Sequence, residues 1–148
     1  MRGPSLSLKG RALRLLSGRE HSRRELERKL ASHEEEPGQL RRVLDELQAK
    51  GFINHQRVAD SVVHRRAAKL GAARIRQELQ VKGLDPELVA QAVAGLRVTE
   101  LQRAREVWRR KFERAPADAA ERGKQTRFLV ARGFAPEVVR RVIGGHDD

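Results

Sequence analysis

The feature that most constrains this chain is an internal repeat. Pro37, Pro86 and Pro136 stand 49 and 50 residues apart, and apolar positions recur at the same offsets on both sides. Leu30, Leu79 and Leu129 correspond, as do Leu40, Val89 and Val139, then Leu44, Val93 and Ile143, with Leu13, Val62 and Phe112 further upstream. The closest pair of segments is Lys82-Gly83-Leu84-Asp85-Pro86-Glu87 and Arg132-Gly133-Phe134-Ala135-Pro136-Glu137. A period of this length marks one supersecondary unit copied in tandem, because a unit so small leaves its apolar stripe exposed until a neighbour covers it. Three copies are expected: 11–53, 54–98 and 99–144, between a loose basic tail at 1–10 and a C-terminal tail at 145–148.

Within each copy the apolar spacing is helical. Ser22-Arg23-Arg24-Glu25 reads as a capping box, in which the serine oxygen and the glutamate carboxylate each satisfy an orphan backbone N–H. Leu40, Val43, Leu44 and Leu47 follow the i, i+3, i+4, i+7 rule, and Gly51 is placed to end that helix in a left-handed conformation. Asn54 is expected to cap a helix carrying Val58 and Val62, and Asp85 with Pro86 to open one carrying Val89, Ala92, Val93 and Leu96. Thr99 precedes Leu101, Ala104 and Trp108. Glu34-Glu35-Glu36 reads as a solvated loop that puts negative charge at a helix N-terminus. No stretch alternates with period two. The expected fold class is all-α, three tandem three-helix repeats stacked into an elongated, modular molecule.

Composition narrows the chemistry. The chain has no cysteine, which excludes disulfides, thiolate metal sites and thiol catalysis. The five histidines form no helical pair for a metal, and are expected at the surface. Gly123-Lys124-Gln125-Thr126 resembles part of a phosphate loop, but Asp118 stands where the upstream glycine is required. Trp108 and the four phenylalanines read as core or junction residues rather than stacking platforms. No enzyme activity, cofactor or metal is expected. Neither a membrane-spanning run nor a signal-peptide core is legible, so a cytoplasmic, monomeric protein is expected.

What remains is basic surface. Lys and Arg number 32 against 20 Asp and Glu, a formal net charge of +12, and arginine dominates. Its forked guanidinium suits phosphate and carboxylate. Arg41-Arg42 and Arg140-Arg141 recur at equivalent places off the apolar stripes, while the middle copy carries Arg65, Arg66, Lys69, Arg74 and Arg76. Lys124, Arg127 and Arg132 complete the candidate binding set. Charge spread along three units suits an extended polyanion or filament better than one compact ligand.

The ordered segments Leu15-Leu16-Ser17-Gly18-Arg19-Glu20-His21-Ser22-Arg23-Arg24-Glu25-Leu26, Gly51-Phe52-Ile53-Asn54, Gly71-Ala72-Ala73-Arg74-Ile75-Arg76-Gln77-Glu78-Leu79-Gln80-Val81-Lys82-Gly83 and Lys124-Gln125-Thr126-Arg127-Phe128-Leu129-Val130-Ala131-Arg132-Gly133-Phe134 resemble the RecX family. Asn54 departs from the aspartate common there, and Val58 from the usual aromatic; asparagine caps equally well and valine lightens the core. The resemblance implies three three-helix repeats. It also implies a protein that binds the RecA–DNA filament, blocks its extension or promotes its loss, and so lowers recombinase, ATPase and coprotease activities. The alternative is a module that binds single- or double-stranded DNA directly, weakly and without sequence preference, through counterion release.

Overall fold

The computed structural model of the chain describes residues 6–145, and among these every regular element is helical. The first unit holds α1 (Leu8–Gly18), α2 (Arg23–Leu30) with a short 3-10 turn after it, and α3 (Gln39–Ala49). The second holds α4 (His55–Arg66), α5 (Ala72–Val81) and α6 (Pro86–Val98). The third holds α7 (Glu100–Lys111), α8 (Ala119–Ala131) and α9 (Pro136–Gly144). Each unit closes its own apolar cluster, centred on Leu26 and Leu44, on Ile75 and Leu79, and on Leu129 and Val139. The chain exposes 9718 Å², against ~7,600 Å² for a compact protein of this mass. Three small cores in place of one leave more surface than a single core would.

Local chemistry explains the helix ends. The Ser22–Glu25 capping box forms in both directions, and Asn54, Asp85 and Asp118 each accept a backbone N–H at the start of a helix. Gly51, Gly83 and Gly133 all lie at positive φ just past a helix. The Glu34 carboxylate accepts the Leu40 N–H at 2.8 Å, so the acidic loop does serve the start of α3.

Several expectations are corrected. Residues 8–10 belong to α1, with Leu8 buried, because Ser7 caps the helix there; residues 1–5 and 146–148 lie outside the described part. Pro86 and Pro136 occupy first-turn positions, but Pro37 sits in a turn before Gly38, one residue short of α3. The first helices do not keep the offset of the others. Their common position is the fifth residue, a buried alanine in every case: Ala12, Ala59 and Ala104. Phe112, aligned in sequence with Val62, instead lies beyond α7 and meets Phe128 edge-on at 5.3 Å. Phe52 is 48 % exposed, so it is no core residue. His21 is only 2 % exposed rather than a surface group.

The two joints between units are built differently. At the first, Arg57 pairs with Glu20 at 2.8 Å, Lys82 with Glu25 at 3.1 Å, and the Arg23 N–H donates to His55 Nε2 at 3.2 Å. At the second, backbone meets backbone: Gly71 N–H donates to Arg132 O at 2.8 Å and Ala73 N–H to Gly133 O at 3.2 Å. Glu100, 1 % exposed, accepts from Ala72 N–H at 2.7 Å and Ala135 N–H at 3.2 Å. Arg103 donates to the carbonyls of Ala67, Leu70 and Leu96, all within 2.9 Å. These contacts satisfy backbone groups left without partners where helices and loops end.

Candidate partner-binding surface

The twelve cations singled out in the sequence do not form one cluster. Arg41 and Arg42 lie exposed on α3, and Arg140 with the half-buried Arg141 on α9. Their guanidinium groups have no partner among the described residues. Arg65, in the last turn of α4, and Lys69, in the connection after it, are likewise exposed and unpaired among the described residues. Lys124 and Arg127 project from α8 into solvent.

Four of the twelve are held or placed by neighbouring groups. Arg66 pairs with Glu78 at 3.1 Å, on the surface, where such a pair adds little stability. Arg74 donates to the Ala131 carbonyl at 2.7 Å and packs on Gly133, so it belongs to the second joint. Arg132 lies 3.9 Å over the Phe128 ring, a cation–π contact that holds its guanidinium against the third unit. Arg76 is exposed and unpaired among the described residues, and it lines the larger of two grooves beside the first joint.

That groove, about 890 Å³, is framed by Arg24, Arg76 and Arg97 over a floor from α6. A second groove of about 480 Å³ shares Arg24 and adds Arg28, Arg74 and Lys82, facing Glu25 and Glu78. Arg24 separates the two by lying across Gly83: a Cβ there would sit 2.7 Å from its Nε. Sequence reasoning missed Arg24, Arg28, Lys82 and Arg97. The first two lie beside the capping box and Lys82 in the repeated hexad, yet nothing local signals that the two segments meet.

Titratable groups cluster at this joint. Burial opposes the charge on Glu25, but Arg19, the Ser22 N–H and Lys82 outweigh it and hold the carboxyl at about 2, against the usual 4.5. His21 and His55 are both lowered, chiefly by burial and further by neighbouring cations. A neutral His21 ring, protonated on Nδ1, donates to Arg19 O and accepts from Lys29 Nζ, each at 3.0 Å. In the third unit, Trp108 Nε1 donates to the buried Gln125, which in turn donates to Arg114 O. The segment resembling a phosphate loop is thus part of α8, with its glutamine tied into the core.

No described helix is long and apolar enough to cross a membrane. Three family models cover most of the chain: RecX, first three-helix domain, at residues 9–47, the second at 54–93, and the third at 99–143. The chain is 56 % identical over 140 residues to a regulatory protein RecX of Leptothrix cholodnii, covering 95 % of this chain and 89 % of that protein. It is 51 % identical to one of Ralstonia nicotianae, covering 96 % and 89 %. The fold matches a crystal structure of RecX from Lactobacillus salivarius at a TM-score of 0.77 and 21 % identity, over 93 % of both chains. Matches of this extent, unit by unit and in order, place the chain in the RecX family of regulatory proteins.

Proposed function

We propose that the protein regulates the RecA recombinase by lying along the RecA–DNA filament, mainly as an inhibitor that blocks extension or promotes disassembly. It acts as a cytoplasmic monomer and does no covalent chemistry of its own. The observation that carries this reading, beside family membership, is the repetition of unpaired arginines at equivalent sites on α3 and α9. Recognition elements in the first and third units suit a partner that is itself extended. Charge of one sign along the chain also speeds encounter with an acidic surface at low salt.

The test is RecA ATPase on single-stranded DNA with this protein titrated in. The rate is expected to fall; an unchanged rate would discard the filament reading. Replacing Arg41, Arg42, Arg140 and Arg141 together by alanine is expected to weaken inhibition, each change altering stability by no more than ~0.5 kcal/mol. Replacing Arg65, Lys69 and Arg76 together tests the middle unit without touching Arg74, whose side chain takes part in the second joint. Unchanged inhibition by both sets would discard the basic surface as the contact.

A second reading rests on the net charge of +12. A module acting directly on DNA would bind it tightly with no RecA present. The favoured reading expects weak, sequence-independent binding that falls steeply with salt. Retention of one preferred sequence at high salt would reverse that preference.

A further inference from the structure

We propose that the larger groove at the first joint is a docking site for an acidic, amphipathic helical segment of a partner protein. The inference rests on the filament reading in one respect only, that RecA supplies the segment.

The floor is aliphatic. Leu84 and Val89 close it from below, the half-buried Val93 rises into it, and Ala90 and Ala94 present their methyl groups to solvent. Positions 86, 89, 90, 93, 94 and 97 form one stripe along α6 by helical spacing. The chain's own core uses only part of that stripe. Two alanines at its centre leave room for another helix to approach closely, and the volume of about 890 Å³ falls in the range of true binding clefts.

The rim carries the opposite preference. Arg24, Arg76 and Arg97 surround the floor, against the single carboxylate of Asp85. That carboxylate already accepts the Glu87 N–H. Arg24 and Arg76 make no ion pair among the described residues, so both cations are available. An occupant that satisfies both features has apolar side chains on one face and carboxylates at its borders, the pattern of a helix seated in a groove.

Nucleic acid fits this groove less well. A phosphate backbone gains nothing from covering valine and alanine, and no aromatic ring lines the groove for a base to stack on. The smaller groove gives an internal contrast. There Glu25 pairs with Lys82 and Glu78 with Arg66, so carboxylates offset the cations. Because Arg24 comes from the first unit and α6 from the second, an occupant would also bridge the first joint.

The full-length protein is titrated into a fluorescent peptide with leucines at i, i+3, i+4 and i+7 and glutamates beside them. A scrambled peptide of the same composition and a labelled oligo(dT) serve as comparison probes. The amphipathic peptide is expected to bind about tenfold tighter than the scrambled one. Ala94→Trp, which fills the groove, and Arg76→Glu, which reverses a rim charge, are each expected to abolish that difference. Oligo(dT) binding should survive Ala94→Trp. Equal binding of the two peptides would overturn the proposal, as would a loss of oligo(dT) binding by Ala94→Trp as large as the loss of peptide. If Ala94→Trp impairs folding, Arg76→Glu, an exposed change, decides alone. The peptide assay contains no RecA, so failure of the filament reading leaves it intact. Undiminished RecA inhibition by a folded Ala94→Trp variant would overturn RecA as the source of the segment.

Discussion

The two joints of this molecule solve the same problem with different chemistry. Both must hold one three-helix unit against the next without merging their cores. The first joint relies on side chains with titratable heads: Arg57 on Glu20, Lys82 on Glu25, and the ring of His55 on the Arg23 N–H. The second relies mainly on backbone groups: the Gly71 and Ala73 N–H groups, the Arg132 and Gly133 carbonyls, and the Ala72 and Ala135 N–H groups that the buried Glu100 carboxylate accepts. The exposed Arg57–Glu20 pair is weak and screened by salt, and the more shielded Lys82–Glu25 pair yields to acid, whereas buried hydrogen bonds to a carboxylate are costly to break. The first joint is therefore the adjustable one, and it is also the joint that borders both grooves.

The sharpest way to break the contrast is Glu100→Ala. It strands the Ala72 and Ala135 N–H groups and removes a carboxylate facing Arg97 at 3.6 Å. A loss of about 3–5 kcal/mol is expected in urea unfolding; a loss below about 1 kcal/mol would show that the second joint is not held by this carboxylate. Acid should act next, and on the first joint. Glu25 has its pKa lowered to about 2 from 4.5, so its contribution is complete above 4.5 and disappears as pH falls toward 2. His21 and His55 are lowered from 6.5, so theirs is complete above 6.5 and declines as pH falls below it. For Glu25 alone the linkage amounts to at most about 3 kcal/mol. Hydrogen-exchange protection, taken relative to the intrinsic rate at each pH, should fall in α2 and α4 on acidification before it falls in α7 and α8; the reverse order would contradict the contrast.

Gly71→Ala should cost about 1–3 kcal/mol, since its Cβ would collide with the Gly133 carbonyl and backbone would have to move. Gly51→Ala is the partner experiment. Gly51 has φ 83° but open space around it, so only the left-handed strain of about 1 kcal/mol is expected. Thermal melting of the two variants separates collision from strain; equal losses would remove the distinction. Arg57→Ala, breaking a surface pair at the first joint, should shift stability by less than about 1 kcal/mol, and the shift should vanish at high salt.

What the sequence disclosed follows from how far each interaction reaches along the chain. The stripes through Leu30, Leu79 and Leu129 and through Leu40, Val89 and Val139 were legible because they lie within second and third helices of conserved spacing. The first helices were not, since the connections after them lengthen from 19–22 to 67–71 to 112–118 and carry Ala12, Ala59 and Ala104 out of register. Glu100 reads locally as one more surface carboxylate in a charged helix. Its partners are backbone N–H groups 28 and 35 residues away, which have no residue identity to notice. The same reasoning covers the candidate site. Arg41, Arg42, Arg140 and Arg141 could be singled out by repetition, but the meeting of Arg24 with Gly83, and with it the groove, depends on two units touching.

The three separate cores also bear on how the chain is made. A unit that completes its contacts among its own neighbours has little loop entropy to overcome and can close quickly, in the order in which it leaves the ribosome. The first core, however, ends on Ile53, beyond its last helix. Leu8 through Ala49 can thus emerge and still lack the residue that seals them. Once Ile53 is out, the Asn54 that caps α4 follows immediately, so closing the first unit and starting the second are consecutive steps in synthesis.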